Sequence, residues 1–193
     1  MPKNTLTFQE KLALYSAPTL IGMKTASLFR IQKKDIPDYK ECLHYYNQHF
    51  NEYGIQICIL HENKTSVLIY IYEHTSLNHI LSNPLVWNIL KQFDYPNQNL
   101  PKALNHLRRR LLENEFPHEI GFFLGYPLHD VISFMDKKSK CKLIGHWKVY
   151  GNVKNTQKTF QKFECCTKMV HKKISNGESI FQLVERSLDK APS

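Results

Sequence analysis

Apolar side chains recur along this chain in two rhythms, and the switch between them lays out most of its elements. Between Pro37 and Gly54 the residues Tyr39, Cys42, Leu43, Tyr46, Phe50 and Tyr53 return every three or four positions, the spacing that lines one stripe of a helix. A proline able to open a helix and a glycine able to close one bracket that stripe. Upstream, Thr7-Phe8-Gln9-Glu10 fits a capping box, with Phe8, Leu12 and Tyr15 on one face behind it. A first helix is expected to end near Ala17-Pro18. Ser16 to Gly22 then reads as a structured loop and Lys24 to Ile31 as a strand.

After Gly54 the period drops to two. Ile55, Ile57 and Ile59 alternate with Gln56, Cys58 and Leu60, and Ser66 to Tyr72 is apolar or aromatic on both faces, which predicts a central strand. The polar turn His61 to Thr65 makes the two a hairpin. Helical spacing returns behind Pro84 and again at Leu100, Ala103, Leu104, Leu107 and Leu111, with Arg108, Arg109 and Arg110 beside the stripe and mostly facing out. Glu115 to Gly125 reads as a compact strand or loop. Pro127 opens a helix expected to turn Leu128, Val131, Ile132 and Met135 inward, and Lys142 to Tyr150 alternates as a strand. Gly151-Asn152 leads into an amphipathic helix from about residue 152, carrying Val153, Phe160, Phe163 and Val170, which Gly177 breaks before a last short element. The order predicts an α+β (mixed α/β) fold over residues 1–193 as a single domain: a mixed sheet of about four or five strands covered by helices.

Composition narrows the setting. Apolar residues make up 42% of the 193, enough for a core at this length. No run approaches the ~20 apolar residues that span a bilayer, and Met1 to Thr5 starts no signal-peptide apolar region; the expected location is the cytoplasm, without membrane association. The five cysteines, Cys42, Cys58, Cys141, Cys165 and Cys166, form no CxxC pair and read as reduced thiols rather than a disulfide framework or zinc site. The net charge of +9 is concentrated. Residues 137–173 hold eleven lysines against one acid, Glu164. Such a face attracts nucleic acid, anionic lipid or an acidic protein, or is simply solvated.

Candidate chemistry gathers in residues 116–131, where two prolines and two glycines fix the path of the backbone around His118 and Glu119. An imidazole beside a carboxylate can do acid/base work or hold a metal. The zinc-helix spacing H-E-x-x-H fails here and at His61-Glu62, and no phosphate-binding glycine loop or serine elbow occurs. Gly125-Tyr126-Pro127 would leave free N–H groups at a helix start, although Asp130 in that first turn opposes an anion there. On a strand, His146, Lys148 and Tyr150 would share one face and Trp147 the other with Leu143 and Val149. Lys148 could pair an anion, and Tyr126 or Tyr150 could shape a pocket. No cysteine or serine comes with an evident base.

The runs Ser16 to Leu20, Lys24 to Phe29, Phe116 to Val131 and Gly145 to Tyr150 resemble one uncharacterised bacterial family. It is known only as a domain of unknown function, with Pro-His-Glu and Leu-Gly-Tyr-Pro cores, and the likeness spans nearly the whole chain. The matching positions are His118, Glu119, Gly125, Tyr126, Pro127, Trp147, Lys148 and Tyr150. The resemblance brings no activity, cofactor or catalytic residue. It implies a redox or iron setting through neighbouring flavodoxin and iron-uptake genes.

Two readings follow. In the first, the chain has a small anionic-ligand or metal-linked role, as binder or enzyme. His118 and Glu119 would supply catalysis or metal ligation, and Gly125, Tyr126, Lys148 and Tyr150 would bind the ligand. In the second, residues 137–173 dock nucleic acid, with Lys154, Lys158 and Lys162 on one helical stripe, or an acidic partner protein such as a flavodoxin. The first requires the loop and the late strand to open onto one hollow.

Overall fold

Up to Thr75 the elements follow the two rhythms closely. The computed structural model describes residues 1–96, 99–113 and 115–188, and the chain divides into two compact units. The first is Met1–Thr75 with the described residues from Phe163 onward; the second is Ser76–Lys162.

The first unit contains α1 (Thr5–Leu20), β1 (Ala26–Gln32), α2 (Tyr39–Phe50), a 3-10 turn (Asn51–Tyr53), β2 (Ile55–Glu62) and β3 (Ser66–Glu73). β3 lies between β1 and β2 and runs antiparallel to both. Its residues from Ser66 to Tyr72 are all buried, as its two-sided apolar pattern requires. The register sets Phe29 opposite Ile69, Ile31 opposite Val67 and Ile57 opposite Ile71. With a side-chain period of two, these residues share one face. That face joins Phe8, Leu12 and Ala17 of α1 and Tyr46 and Phe50 of α2 in one core, completed by Val170 and Ile174 and by Ile180, Leu183 and Val184 near the C-terminus.

The first helix starts earlier and ends later than its capping signal suggests. The backbone N–H and side-chain amide of Asn4 both donate to Asp38, at 3.1 and 2.6 Å, and the Thr5 hydroxyl donates to the Pro2 carbonyl. The chain is therefore already turned before Thr7, and no capping box forms. At the other end the helix runs through Pro18 to Leu20. A proline in the last turn forfeits one backbone bond without ending the helix at once. The expected loop at Ser16 to Gly22 is mostly this last turn, and Tyr15 is 45% exposed instead of inward.

The second unit is mainly helical. α3 (His74–Leu81) straddles the boundary, followed by α4 (Pro84–Lys91), α5 (Leu100–Arg110), α6 (Ile120–Phe123) and α7 (Leu128–Asp136). Asn83 caps α4 by accepting from the Leu85 N–H, and Asn99 caps α5 by accepting from the Lys102 N–H. Leu100, Ala103, Leu104 and Leu107 are buried along α5 as their spacing predicts. The unit ends with β4 (Leu143–Ile144), β5 (Lys148–Val149) and the first half of α8 (Val153–Ser175); α9 (Ile180–Leu188) belongs to the first unit.

The fold is α+β as expected, with its five described strands divided between a three-stranded sheet and a two-stranded one. The division comes from Lys142 to Tyr150, which is a tight hairpin and not one strand. Leu143 pairs with Val149 and Ile144 with Lys148. The reversal sits at Gly145, whose Cβ, were there one, would lie 2.2 Å from the Phe160 ring. Only glycine lets the backbone turn directly against that ring. Glu115 to Gly125 likewise forms turns and the short helix α6, not a strand.

Candidate functional site

Behind His118 the backbone path is fixed by two glycines, one inside α6 and one at its close. α6 closes at Gly125, whose φ is +69°, with the Gly125 N–H donating to Phe122 O and the Tyr126 N–H to Gly121 O. These two bonds form a Schellman closure, and a left-handed φ of this kind costs other residues about 1 kcal/mol or more. A Cβ on Gly121 would lie 2.8 Å from Val131 Cγ2, so α6 and α7 abut without room for a side chain.

A cavity of about 310 Å³ opens beside these elements, at the small end of ligand pockets. Phe116, Tyr126, Phe134 and Trp147 line it with rings, and Ile120, Leu124 and Val131 with aliphatic surface. Its polar side chains are His118, Asp130 and Lys148. The loop and the late hairpin therefore do meet at one hollow, through His118, Tyr126 and Lys148.

Other expected site residues lie elsewhere. Glu119, adjacent to His118 in the chain, turns away. It is 1% exposed and accepts from Arg110 Nε at 2.9 Å and from the Tyr95 hydroxyl at 3.2 Å. Arg110 also pairs with Glu113 and lies over the Phe93 ring, so this arginine is not the solvated one its helical position suggested. Burial and the Glu119 charge push the Tyr95 phenol far above its ordinary range, while the hydrogen bond to Glu119 raises the Arg110 guanidinium further still. The His118–Glu119 dyad is thus split between the cavity and a buried ion pair. Gly125 serves as a helix closure outside the lining. Tyr150 is buried and lies outside the lining too; its backbone N–H, not its ring, does the work described next.

Asp130 was not expected as a centre of the site. Its carboxylate is 3% exposed and accepts from Trp147 Nε1, the Tyr150 N–H and the Gly151 N–H, each at 2.8 Å. Three donors satisfy most of a carboxylate's acceptor capacity. They also explain why α7 rotates to bury Asp130, Val131 and Ser133 and leaves Ile132 40% exposed. This buried carboxylate stands in the first turn of α7, where its charge opposes a second anion. Trp147 is consequently held on three sides: Asp130 on its N–H, Tyr126 stacked at 4.9 Å and the Phe160 ring edge-on at 4.6 Å. The Tyr126 hydroxyl donates to His146 O, and burial pushes its pKa up to about 12. It therefore stays a neutral donor at physiological pH.

Two cavity groups stand apart from this network. Lys148 extends its ammonium over the Phe134 ring at 5.0 Å from the centroid, with no carboxylate partner among the described residues. His118 packs edge-on against the same ring at 4.8 Å, and its Nδ1 is buried without a hydrogen-bond partner among the described residues. An unpaired buried nitrogen of this kind costs about 1–3 kcal/mol.

The family model for proteins of unknown function designated DUF3793 matches residues 12–184. The chain belongs to the DUF3793 family. No curated protein and no solved structure matches it. The match takes in every cavity residue and the Asp130 network of this DUF3793 protein. Among its described residues no three His, Cys, Asp or Glu side chains gather as a metal site, and no helix is long and apolar enough to cross a membrane. None of the five cysteines forms a disulfide; burial pushes the Cys42 and Cys166 thiols up to about 11, which keeps them from acting as thiolates near neutrality. Lys154, Lys158 and Lys162 are exposed along α8 of the DUF3793 chain.

Proposed function

We propose that this DUF3793 protein binds a small anionic molecule with an apolar body in the cavity between α6, α7 and the β4–β5 hairpin. The observation that carries the reading is the juxtaposition of Lys148 and His118 on one ring-lined hollow. Apolar walls with a few placed polar groups are the usual make-up of a ligand pocket. Lys148 would pair the anion, His118 would meet a second polar atom, and Tyr126 and Trp147 would hold the body of the ligand. With Glu119 committed to Arg110, His118 would act alone in any proton transfer, so the reading favours binding over acid/base catalysis by a dyad. Docking of nucleic acid or an acidic protein on residues 137–173 has less support: exposed lysines along a helix are also what a solvated face displays.

Saturation-transfer NMR with a panel of small organic acids tests the reading. Several acids should bind the wild type, and the cavity-filling Leu124→Trp variant, checked for folding by circular dichroism, should lose them. Acids that bind both proteins equally, or none that bind the wild type, would refute the proposal.

A further inference from the structure

Resting on that reading of the cavity, the geometry points to a ligand class: we infer that the pocket takes an aromatic monocarboxylate, a flat ring system bearing one carboxylate. The argument starts from which polar atoms remain available. Trp147 Nε1 is spent on Asp130, the Tyr126 hydroxyl on His146 O, and the Asp130 carboxylate on three N–H donors. Among the described residues, the side-chain polar groups left on the lining are one ammonium, Lys148, and one imidazole, His118. A single flexible ammonium matches a monoanion. It is a poor match for a phosphate dianion, which calls for several donors, an arginine fork or a nest of backbone N–H groups. A sugar or nucleotide would bury many hydroxyls with nothing to meet them, at a cost of about 1–3 kcal/mol for each unpaired group.

The rings decide the rest. Trp147 is held rigid by Asp130, Tyr126 and Phe160 before any ligand arrives, and Phe116, Phe134 and His118 bring further ring surface to the same hollow. Ring–ring contacts add about 0.5–1.5 kcal/mol beyond area burial, so a planar aromatic body gains more from these walls than an alkyl chain of equal size. The Lys148 ammonium already rests on the Phe134 ring. A carboxylate arriving beside that ring replaces a cation–π contact by an ion pair without drawing the lysine out of its position.

Calorimetric titrations with 2-naphthoate, its neutral isostere 2-naphthamide, and the aliphatic acid decanoate test the class. Wild-type protein should bind 2-naphthoate at least about tenfold more tightly than either comparator. Lys148→Met keeps the apolar stem at an exposed position, so folding is preserved; it should weaken the acid far more than the amide and so erase the gap between them. Amide binding as tight as the acid, or a gap that survives Lys148→Met, overturns the anion half of the inference. Decanoate equal to 2-naphthoate overturns the aromatic half. Losing the aromatic half leaves the broader reading of an anion site in place, whereas losing the anion half takes that reading down with it. If none of the three binds, both fall.

Discussion

The two units bury polarity in opposite ways. In the first, the buried polar side chains among the described residues are hydroxyls: Thr5, Ser16, Thr19, Ser27 and Ser66. They are satisfied locally, as where Thr19 meets Ser27 at 2.8 Å and Ser16 donates to Leu12 O. In the second, two carboxylates, Glu119 and Asp130, are sealed in. A buried charge is costly unless fully partnered, and each has its partners: a guanidinium and a phenol for one, three N–H groups for the other. The first unit is an apolar core trimmed with hydroxyls. The second maintains buried charge beside a cavity, and what that charge achieves is placement. Glu119–Arg110 anchors the start of α6 next to His118, and Asp130 fixes the hairpin that carries Trp147 and Lys148.

The contrast can be broken most forcefully at Glu119. Glu119→Ala should cost about 3 kcal/mol in urea unfolding, because Arg110 and Tyr95 lose a buried partner. Combining it with Arg110→Met should recover much of that loss, and a double variant as unstable as the sum would contradict the ion-pair account. Asp130→Ala should cost about 2–3 kcal/mol by orphaning three donors, and Trp147 fluorescence should shift to the red as the ring is released. Thr19→Val in the first unit should cost only about 1 kcal/mol. A loss there equal to that at Asp130 would erase the difference between the units.

A separate effect is on alkaline stability, and it should touch both units. Burial raises Tyr39 in the first and Tyr126 in the second to about 12, from an ordinary value of 10.0. A raised folded pKa means that the neutral phenol is the form the fold favours. The contribution is complete below pH 10 and is lost as pH climbs toward 12. Absorbance at 295 nm should show late-titrating phenols in that window, one fewer in Tyr126→Phe, with stability falling across the same interval. A single transition near pH 10 would contradict it.

Much of the first unit was legible because its signals are periodic. The α2 stripe, the central place of β3 and the β2–β3 hairpin follow from spacing alone. The misplaced start of α1 shows the limit: Asp38, far along the chain, holds Asn4 and competes with the Thr7 capping signal. In the second unit the chemistry-bearing segments could be located, but their geometry could not. Alternation from Lys142 to Tyr150 fits one strand or the two arms of a hairpin equally well, and only the Phe160 ring against Gly145 decides. α6 is too short to display a period. Nothing local marks Arg110 as the partner of Glu119, or Asp130 as the acceptor for Trp147 seventeen residues later.

The central claim is that the ring-lined hollow holds a small acid beside Trp147. The chain has two tryptophans, Trp87 and Trp147, and in 5-fluorotryptophan-labelled protein each gives its own fluorine resonance, assigned with Trp147→Phe. On titration with 2-naphthoate, the Trp147 signal should move and saturate while the Trp87 signal stays in place. If neither moves, or both move alike, the site is not where this account puts it.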